Sequence, residues 1–249
     1  MKKNTLDALS VIENLLCIFE SEGVPLWVDS GTLLGLVRQG DLIEWDDDVD
    51  LGTVDNLISG KIFNIQEKMT RLGYFSFATD SKLAFVSFVD GKSMPFNVSI
   101  YKKYYDSYCT QFHVPATGFR RILLFVILRL LRIWKSHKLN CLKRTNVERE
   151  GGGLAFRYAQ INVNRVANVE KFFKRVLTSR WFSLNVKNVI VPAFHFDSLE
   201  RIKIDKCEVT IPFNYKNYLC LRYGCEWRKP IREWHHWKHD NAIGNPPEK

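Results

Sequence analysis

Four aspartates fall within five positions, in the run Trp45-Asp46-Asp47-Asp48-Val49-Asp50-Leu51. Acidic runs are commonly solvated loops, but this one is bracketed by apolar residues, with Leu42, Ile43 and Trp45 before it and Val49 and Leu51 at its end. It stands where a strand would. In an extended chain side chains alternate faces, so Asp46, Asp48 and Asp50 share one face while Asp47, Val49 and Leu51 take the other. Carboxylates ~6–7 Å apart repel by roughly 2–3 kcal/mol per pair at an effective dielectric of about 20. A fold that keeps them together is expected to supply a counter-charge. Carboxylate oxygens are hard ligands, so the expected cation is Mg²⁺ or Mn²⁺. A calcium EF-hand loop is excluded, because Leu51 and Leu57 stand where it needs Gly and Glu.

The elements that must position these carboxylates lie just upstream. Leu26–Asp29 reads as a strand, Ser30-Gly31-Thr32 as a small-residue turn, and the following apolar residues as a short helix. A helix N-terminus offers unsatisfied N–H groups to a phosphate. Paired Asp side chains hold a metal that bridges phosphate oxygens during transfer. Turn, helix start and Asp-x-Asp strand at this spacing are the arrangement of a nucleotidyltransferase-type site.

The contiguous string Gly31-Thr32-Leu33-Leu34-Gly35, Val37-Arg38, Gly40-Asp41-Leu42-Ile43, Trp45-Asp46-Asp47-Asp48-Val49-Asp50-Leu51-Gly52 resembles the signature of the LicD / fukutin-related family. Near the C-terminus, Val209-Thr210-Ile211-Pro212, Tyr218-Leu219, Tyr223-Gly224, Trp227 and Pro230 are similar to that family's closing pattern. The resemblance implies an α/β (α+β) nucleotidyltransferase-like mixed sheet flanked by helices. It implies a metal-dependent phosphotransferase that moves a phospho-alcohol, such as phosphocholine or ribitol phosphate, from a CDP-activated donor to a hydroxyl of a glycan or lipid-linked glycan. Carried over by position, Asp48 and Asp50 bind the metal, and Asp46 orients the acceptor or completes the shell. Gly31 and Thr32 approach the donor phosphates through backbone N–H, and Arg38 offsets phosphate charge. The chain departs from the pattern at Asn97, which stands where the family supplies a third carboxylate. Asn offers a carbonyl oxygen but no charge. A weaker metal site, a compensating carboxylate such as Asp90, and a degenerate enzyme all remain open. A Trp-x-x-x-Lys-x-Asp near the end of fukutin-like members corresponds to Trp234, Lys238 and Asp240, with Lys238 a candidate phosphate contact.

The rest of the chain supplies a scaffold. Leu6, Leu9, Ile12, Leu16 and Phe19 recur at helical spacing. Val54–Leu72 reads as one helix, Leu83–Val89 as a strand, and Asp90-Gly91 as a turn, with the loop to Met94 longer than a two-residue hairpin. Phe96, Val98 and Ile100 alternate as a strand, Val186–Phe196 reads as another, and Asn214–Tyr223 as a helix with a left-handed cap at Gly224. The whole of 1–249 is expected to be one domain, with a basic helical insertion at 115–150. Its residues 119–138 are too short and too charged to span a bilayer. They suit either a membrane interface or a core helix with snorkelling arginines. Gly151-Gly152-Gly153 lacks the Lys-Ser/Thr of a P-loop. His235 and His239 are spaced as on one helix face but lack a His-Glu-x-x-His glutamate.

Composition narrows the partners. The 46% apolar content supports a folded core, and a net charge of +9 favours an anionic partner. Aromatic residues are not interleaved with the basic ones, which argues against nucleic acid. The six cysteines have no zinc spacing, and acidic residues interrupt the N-terminal apolar residues, so a signal peptide is not expected. The resulting expectation is a reducing, cytoplasmic setting, peripheral to a membrane at most. Two other readings stay open: a glycosyltransferase using Asp-x-Asp with a sugar nucleotide, and a non-catalytic binder of glycan or membrane.

Overall fold

The computed structural model describes residues 2–74, 76–113 and 186–245. The chain divides into a unit formed by Met1–Phe112 with Lys187–Lys249 and a unit spanning His113–Val186. The second lies almost wholly outside the described residues, as do the expected insertion at 115–150, the basic stretch 119–138 and the glycine run.

In chain order, the elements are α1 (Lys3–Ser21), β1 (Trp27–Val28), α2 (Ser30–Gln39), β2 (Val49–Val54), α3 (Asp55–Ile58), α4 (Ile62–Arg71), β3 (Phe77–Ala78), β4 (Lys82–Val89), β5 (Lys92–Tyr104) and β6 (Ser107–His113). After the undescribed stretch come β7 (Val186–Pro192), α5 (Phe194–Asp197), β8 (Leu199–Ile204), β9 (Cys207–Pro212), α6 (Tyr215–Tyr223), α7 (His236–His239) and β10 (Ile243–Gly244). An eight-stranded sheet runs β1-β2-β5-β6-β7-β10, with β4 also paired to β5 and β3 to β4. β8 and β9 form a separate antiparallel ribbon. The sheet is mixed, because β2 and β5 are parallel while the β1/β2, β4/β5 and β5/β6 pairs are antiparallel. The α/β class with a mixed sheet and flanking helices is therefore as the sequence predicts.

Long β5 is the spine of the sheet. Its N-terminal part is buried on both sides by β2 and β4, and its C-terminal end pairs with β6. Amphipathic α1 buries Leu9, Ile12, Leu15 and Phe19 completely, against α4, β4 and β9. Burial of each such side chain stabilises by about 1.5–3 kcal/mol. A second focus is aromatic: Phe196 stacks on Trp27 at 4.4 Å and meets Tyr101 edge-on at 4.7 Å. This cluster ties the C-terminal segment to β1 and β5, the strands on either side of β2.

Several sequence expectations are corrected. The acidic run is not a strand from Asp46 onward: β2 starts only at Val49, and Asp46–Asp48 form an irregular approach to it. Val54–Leu72 is not one helix. Val54 is the buried end of β2, and Ser59-Gly60-Lys61 separates α3 from α4. The β4–β5 loop is in fact two residues, because Val89 pairs with Lys92. Asp90 and Gly91 both take positive φ (49° and 74°), which matches the twist of a tight hairpin. Strands β6 and β8 escape the sequence pattern. The predicted strand to Phe196 stops at Pro192, where Phe194–Asp197 turns helical. Gly224 has positive φ but ψ of 165°, so it ends α6 in an extended glycine conformation rather than a left-handed cap.

Candidate active site

The site is built around the N-terminus of α2. Asp29 caps it, its Oδ1 accepting from Ser30 N at 2.7 Å. Ser30 enters the helix with φ of 45°, an uncommon conformation for a residue with a side chain. The N–H groups of the first turn, including those of Gly31 and Thr32, have no carbonyl of their own helix to bond. β2 is joined to this turn twice: Asp29 N donates to Asp50 O at 3.0 Å, and Asp50 N donates to Thr32 Oγ1 at 2.8 Å.

These bonds bring the acidic run onto α2. A Cβ on Gly31 would lie 2.5 Å from Asp46 Oδ2, so a side chain there would push the Asp46 carboxylate away, while Asp50 Oδ2, at 3.9 Å, would be in ordinary contact. Gly35, one turn on, is needed for a different contact: a Cβ there would lie 2.7 Å from the Asp41 carbonyl oxygen. Asp46, Asp47 and Asp48 can each offer an oxygen with all three atoms within 4.8 Å of one another. Asp47, which strand alternation puts on the opposite face, joins the others because the segment is not extended.

Electrostatics follow from this crowding. Burial, then the charge of Asp48 and a hydrogen bond with it, push Asp46 up to about 7. Burial, then Asp48, Asp46 and Asp29, hold Asp50 well above the carboxylate range, with Lys82 offsetting part of the effect. The oxygens of Asp46, Asp47 and Asp48 are close enough to share one hard cation, whereas Asp50, expected as a ligand, is not in that group; without a cation the cluster cannot be fully ionised cheaply.

Asn97 pairs in register with Asp50 across parallel β2 and β5, and its Nδ2 donates to Asp48 Oδ2 at 2.6 Å. Asp90, offered by the sequence as a replacement carboxylate, sits at the β4–β5 tip, paired with Lys3 at 3.0 Å and away from the cleft. Thr32 is buried with its hydroxyl engaged by Asp50 N.

A cleft of about 540 Å³ opens over this cluster. Ser30, Gly31 and Arg38 line it with Asp46, Asp47, Asp48 and Asp50. Burial lowers the pKa of Arg38, and its Nε is buried without a hydrogen-bond partner among the described residues. The opposite wall comes from the C-terminal segment and includes Arg222, Trp227, Arg232, Trp234, His236 and Trp237. Lys238 is exposed and does not line the cleft. The His235–His239 pairing is local, His235 N donating to His239 Nδ1 at 2.9 Å.

One group went unnoticed in the sequence. Asp29, 1% exposed, accepts from Tyr101 OH at 2.8 Å and closely from Tyr218 OH. Arg222 Nη1 donates to Tyr218 OH at 2.6 Å, and Arg222 Nε to Asp240 Oδ2 at 2.7 Å. Burial opposes the charge of Arg222, but Tyr218, Asp240, Tyr101 and Asp29 outweigh it and hold its pKa well above the usual value. The one available signal was Asp29 immediately before a small-residue turn, which is an N-cap pattern.

Residues 23–119, which contain the whole acidic side of this cleft, match the family model described as LicD/FKTN/FKRP, nucleotidyltransferase domain. Over those residues the chain is similar to the LicD/fukutin-related family. A 35-residue stretch is 54% identical to the ribitol 5-phosphate transferases FKRP of Mus musculus and Homo sapiens, and covers 14% of this chain. That stretch spans only 7% of the length of those relatives. Two structures of ANT(2")-Ia, one in complex with adenylyl-2"-tobramycin and one a solution structure, are 17% identical with TM-scores of 0.30 and 0.31. They cover 41% and 42% of this chain and 53% and 52% of theirs. Likeness at that level adds nothing to the fold, which rests on the LicD-type match and the sheet itself. No described helix is long and apolar enough to cross a membrane.

Proposed function

We propose that the LicD-type domain transfers a phospho-alcohol from a CDP-activated donor to a glycan hydroxyl. The observation that carries this reading is the convergence of Asp46 and Asp50 on Gly31, at the open first turn of α2. A phosphate donor needs both halves of that arrangement: N–H groups to receive its oxygens and carboxylates to hold a divalent cation. The family-model match over residues 23–119 and the names of the FKRP relatives support the same reaction class.

Asp48 and Asp50, with Asp46, would hold Mg²⁺ or Mn²⁺. When bound, the cation neutralises charge on the transferring phosphate. The backbone N–H of Gly31 and its neighbour receives donor oxygens, and Arg38 faces the same cleft as a counter-charge. A carboxylate in the cluster takes the proton of the acceptor hydroxyl. Asn97 holds Asp48 in place through its amide rather than adding a charge.

A thermal-shift screen tests the reading, using CDP-choline, CDP-ribitol, CDP-glycerol, UDP-glucose and GDP-mannose with and without Mg²⁺ or Mn²⁺. A native-state ligand at a hundredfold excess over Kd stabilises by about 2.7 kcal/mol. The expected result is a metal-dependent shift with one CDP-alcohol, lost in Asp48→Ala. A shift confined to a sugar nucleotide would replace this reading with a glycosyltransferase, and no shift at all would make the chain a non-catalytic relative.

A further inference from the structure

Asp29 caps α2 in an unusual way. An N-cap side chain ordinarily accepts from the second or third N–H of its helix, here Gly31 or Thr32. The Asp29 carboxylate accepts instead from the first, Ser30 N, at 2.7 Å. Ser30 takes a φ of 45° at that point. The other described non-glycine residues with positive φ, Asp90, Tyr105, Asp205 and Asn214, lie in turns, so Ser30 alone among them stands within a helix. A left-handed conformation is unfavourable for a residue with a Cβ and persists only where its surroundings impose it.

Two buried tyrosines supply the constraint. Tyr101, from β5, donates its hydroxyl to Asp29 Oδ2 at 2.8 Å, and Tyr218, from α6, donates to Oδ1. Arg222 Nη1 donates to Tyr218 OH at 2.6 Å, so that hydroxyl is fixed from both sides. The Asp29 backbone is held as well, its N–H donating to Asp50 O and its carbonyl accepting from Leu33 N, both at 3.0 Å. Both carboxylate oxygens are therefore engaged, and the one helix N–H they accept from is that of Ser30. Gly31 and Thr32 have no carbonyl of their own helix to bond. Gly31 lines the cleft against Asp46. Were Asp29 to cap in the ordinary way, it would occupy one of these N–H groups and set a further negative charge against an anionic ligand.

We propose that Tyr101 and Tyr218 are positioning residues: by holding the Asp29 carboxylate on Ser30 N, they keep it from capping Gly31 and Thr32, whose N–H groups stay open to a phosphate oxygen of the ligand. This rests on the transferase reading above and adds to it two residues outside the acidic motif, which touch the site only through Asp29.

Amide hydrogen exchange in the ligand-free full chain tests the cap directly, with Leu33, whose N–H is bonded to Asp29 O, as the internal reference. Tyr101→Phe is the main variant, because it removes the hydroxyl on Oδ2 and frees that oxygen. Tyr218→Phe is the second, with a smaller effect expected, since Arg222 Nη1 lies 3.9 Å from Oδ1 and can replace the lost hydroxyl. The expected result is exchange at Gly31 or Thr32 slowed tenfold or more in Tyr101→Phe while Leu33 is unchanged. Calorimetric titration with CDP and with inorganic pyrophosphate, each with Mg²⁺, should show binding weakened tenfold or more in the same variant. Lower stability with unchanged exchange at both amides would overturn the proposal by showing a merely structural role. Slowed exchange with unchanged affinity would overturn it too, because the two N–H groups would then not meet the ligand. Wild-type binding of neither CDP nor pyrophosphate would remove the transferase reading itself, and the exchange comparison alone would then decide whether the tyrosines divert the cap.

Discussion

Asn97 donates its side-chain amide to the Asp48 carboxylate at 2.6 Å from the position directly opposite Asp50 on the neighbouring parallel strand. An Asp at that position would face Asp48 with a like charge instead of a donor. Asn97→Asp is expected to destabilise the metal-free chain by about 1–3 kcal/mol and to tighten Mn²⁺ binding roughly tenfold. Urea unfolding in chelator and calorimetric titration with Mn²⁺ check the two halves. Unchanged metal affinity would mean that position 97 lies outside the ion's reach.

The Asp46 carboxyl provides a pH signature. Its folded pKa of about 7 lies well above the ordinary carboxylate value, so the native chain binds a proton the unfolded chain has lost. Stability from this group is full below the unfolded value and is lost as pH rises through 7. The metal-free chain should therefore lose on the order of 2 kcal/mol between pH 4 and 7 relative to Asp46→Asn. Carboxylates held low by partners, such as Asp197 beside Lys103, act in the opposite sense and at lower pH. Saturating Mg²⁺ at pH 7.5 should restore the loss. Parallel pH profiles of wild type and Asp46→Asn, by urea midpoint, make the comparison.

Gly31 separates packing from chemistry. Its missing Cβ is what admits Asp46 Oδ2, and that oxygen belongs to a movable side chain. Gly31→Ala should cost about 1–3 kcal/mol while displacing Asp46 and reducing turnover by ~100-fold. Gly35→Ala meets backbone at Asp41 and should cost more stability for less specific loss of activity. Denaturation and activity measured on both variants distinguish the two effects. The two glycines behaving alike would argue against a special role for the Gly31–Asp46 approach.

Asp29 joins the site to the C-terminal helix. Asp29→Asn replaces an acceptor of three hydrogen bonds by a group that is half donor, leaving a buried hydroxyl unpaired. The expected loss is about 2–4 kcal/mol, against about 1 kcal/mol for Tyr101→Phe, which removes one bond. Chemical denaturation of both variants tests the ordering, and a smaller loss in Asp29→Asn would show that the network tolerates a neutral centre.

The sequence by itself determined the parts of this protein that depend on local order. The periodicity of α1, the β4 and β5 strands and the acidic run are read from spacing and residue type, because backbone preference and face alternation act over a few residues; Ser30-Gly31-Thr32, read as a turn before the helix, is the first turn of α2 itself. The signature that ties residues 23–119 to the LicD-type family is equally contiguous. Tertiary structure decided what non-local contacts control. Asp46 comes up against α2 through the space left at Gly31, and Asp47 joins Asp46 and Asp48, because Asp46–Asp48 are irregular rather than an alternating strand. The alliance of Asp29 with Tyr101, Tyr218, Arg222 and Asp240 joins residues up to 211 positions apart in the chain. No pattern of spacing encodes such a contact. It exists because burial leaves each polar group no solvent, so each must find its partner wherever the fold brings one.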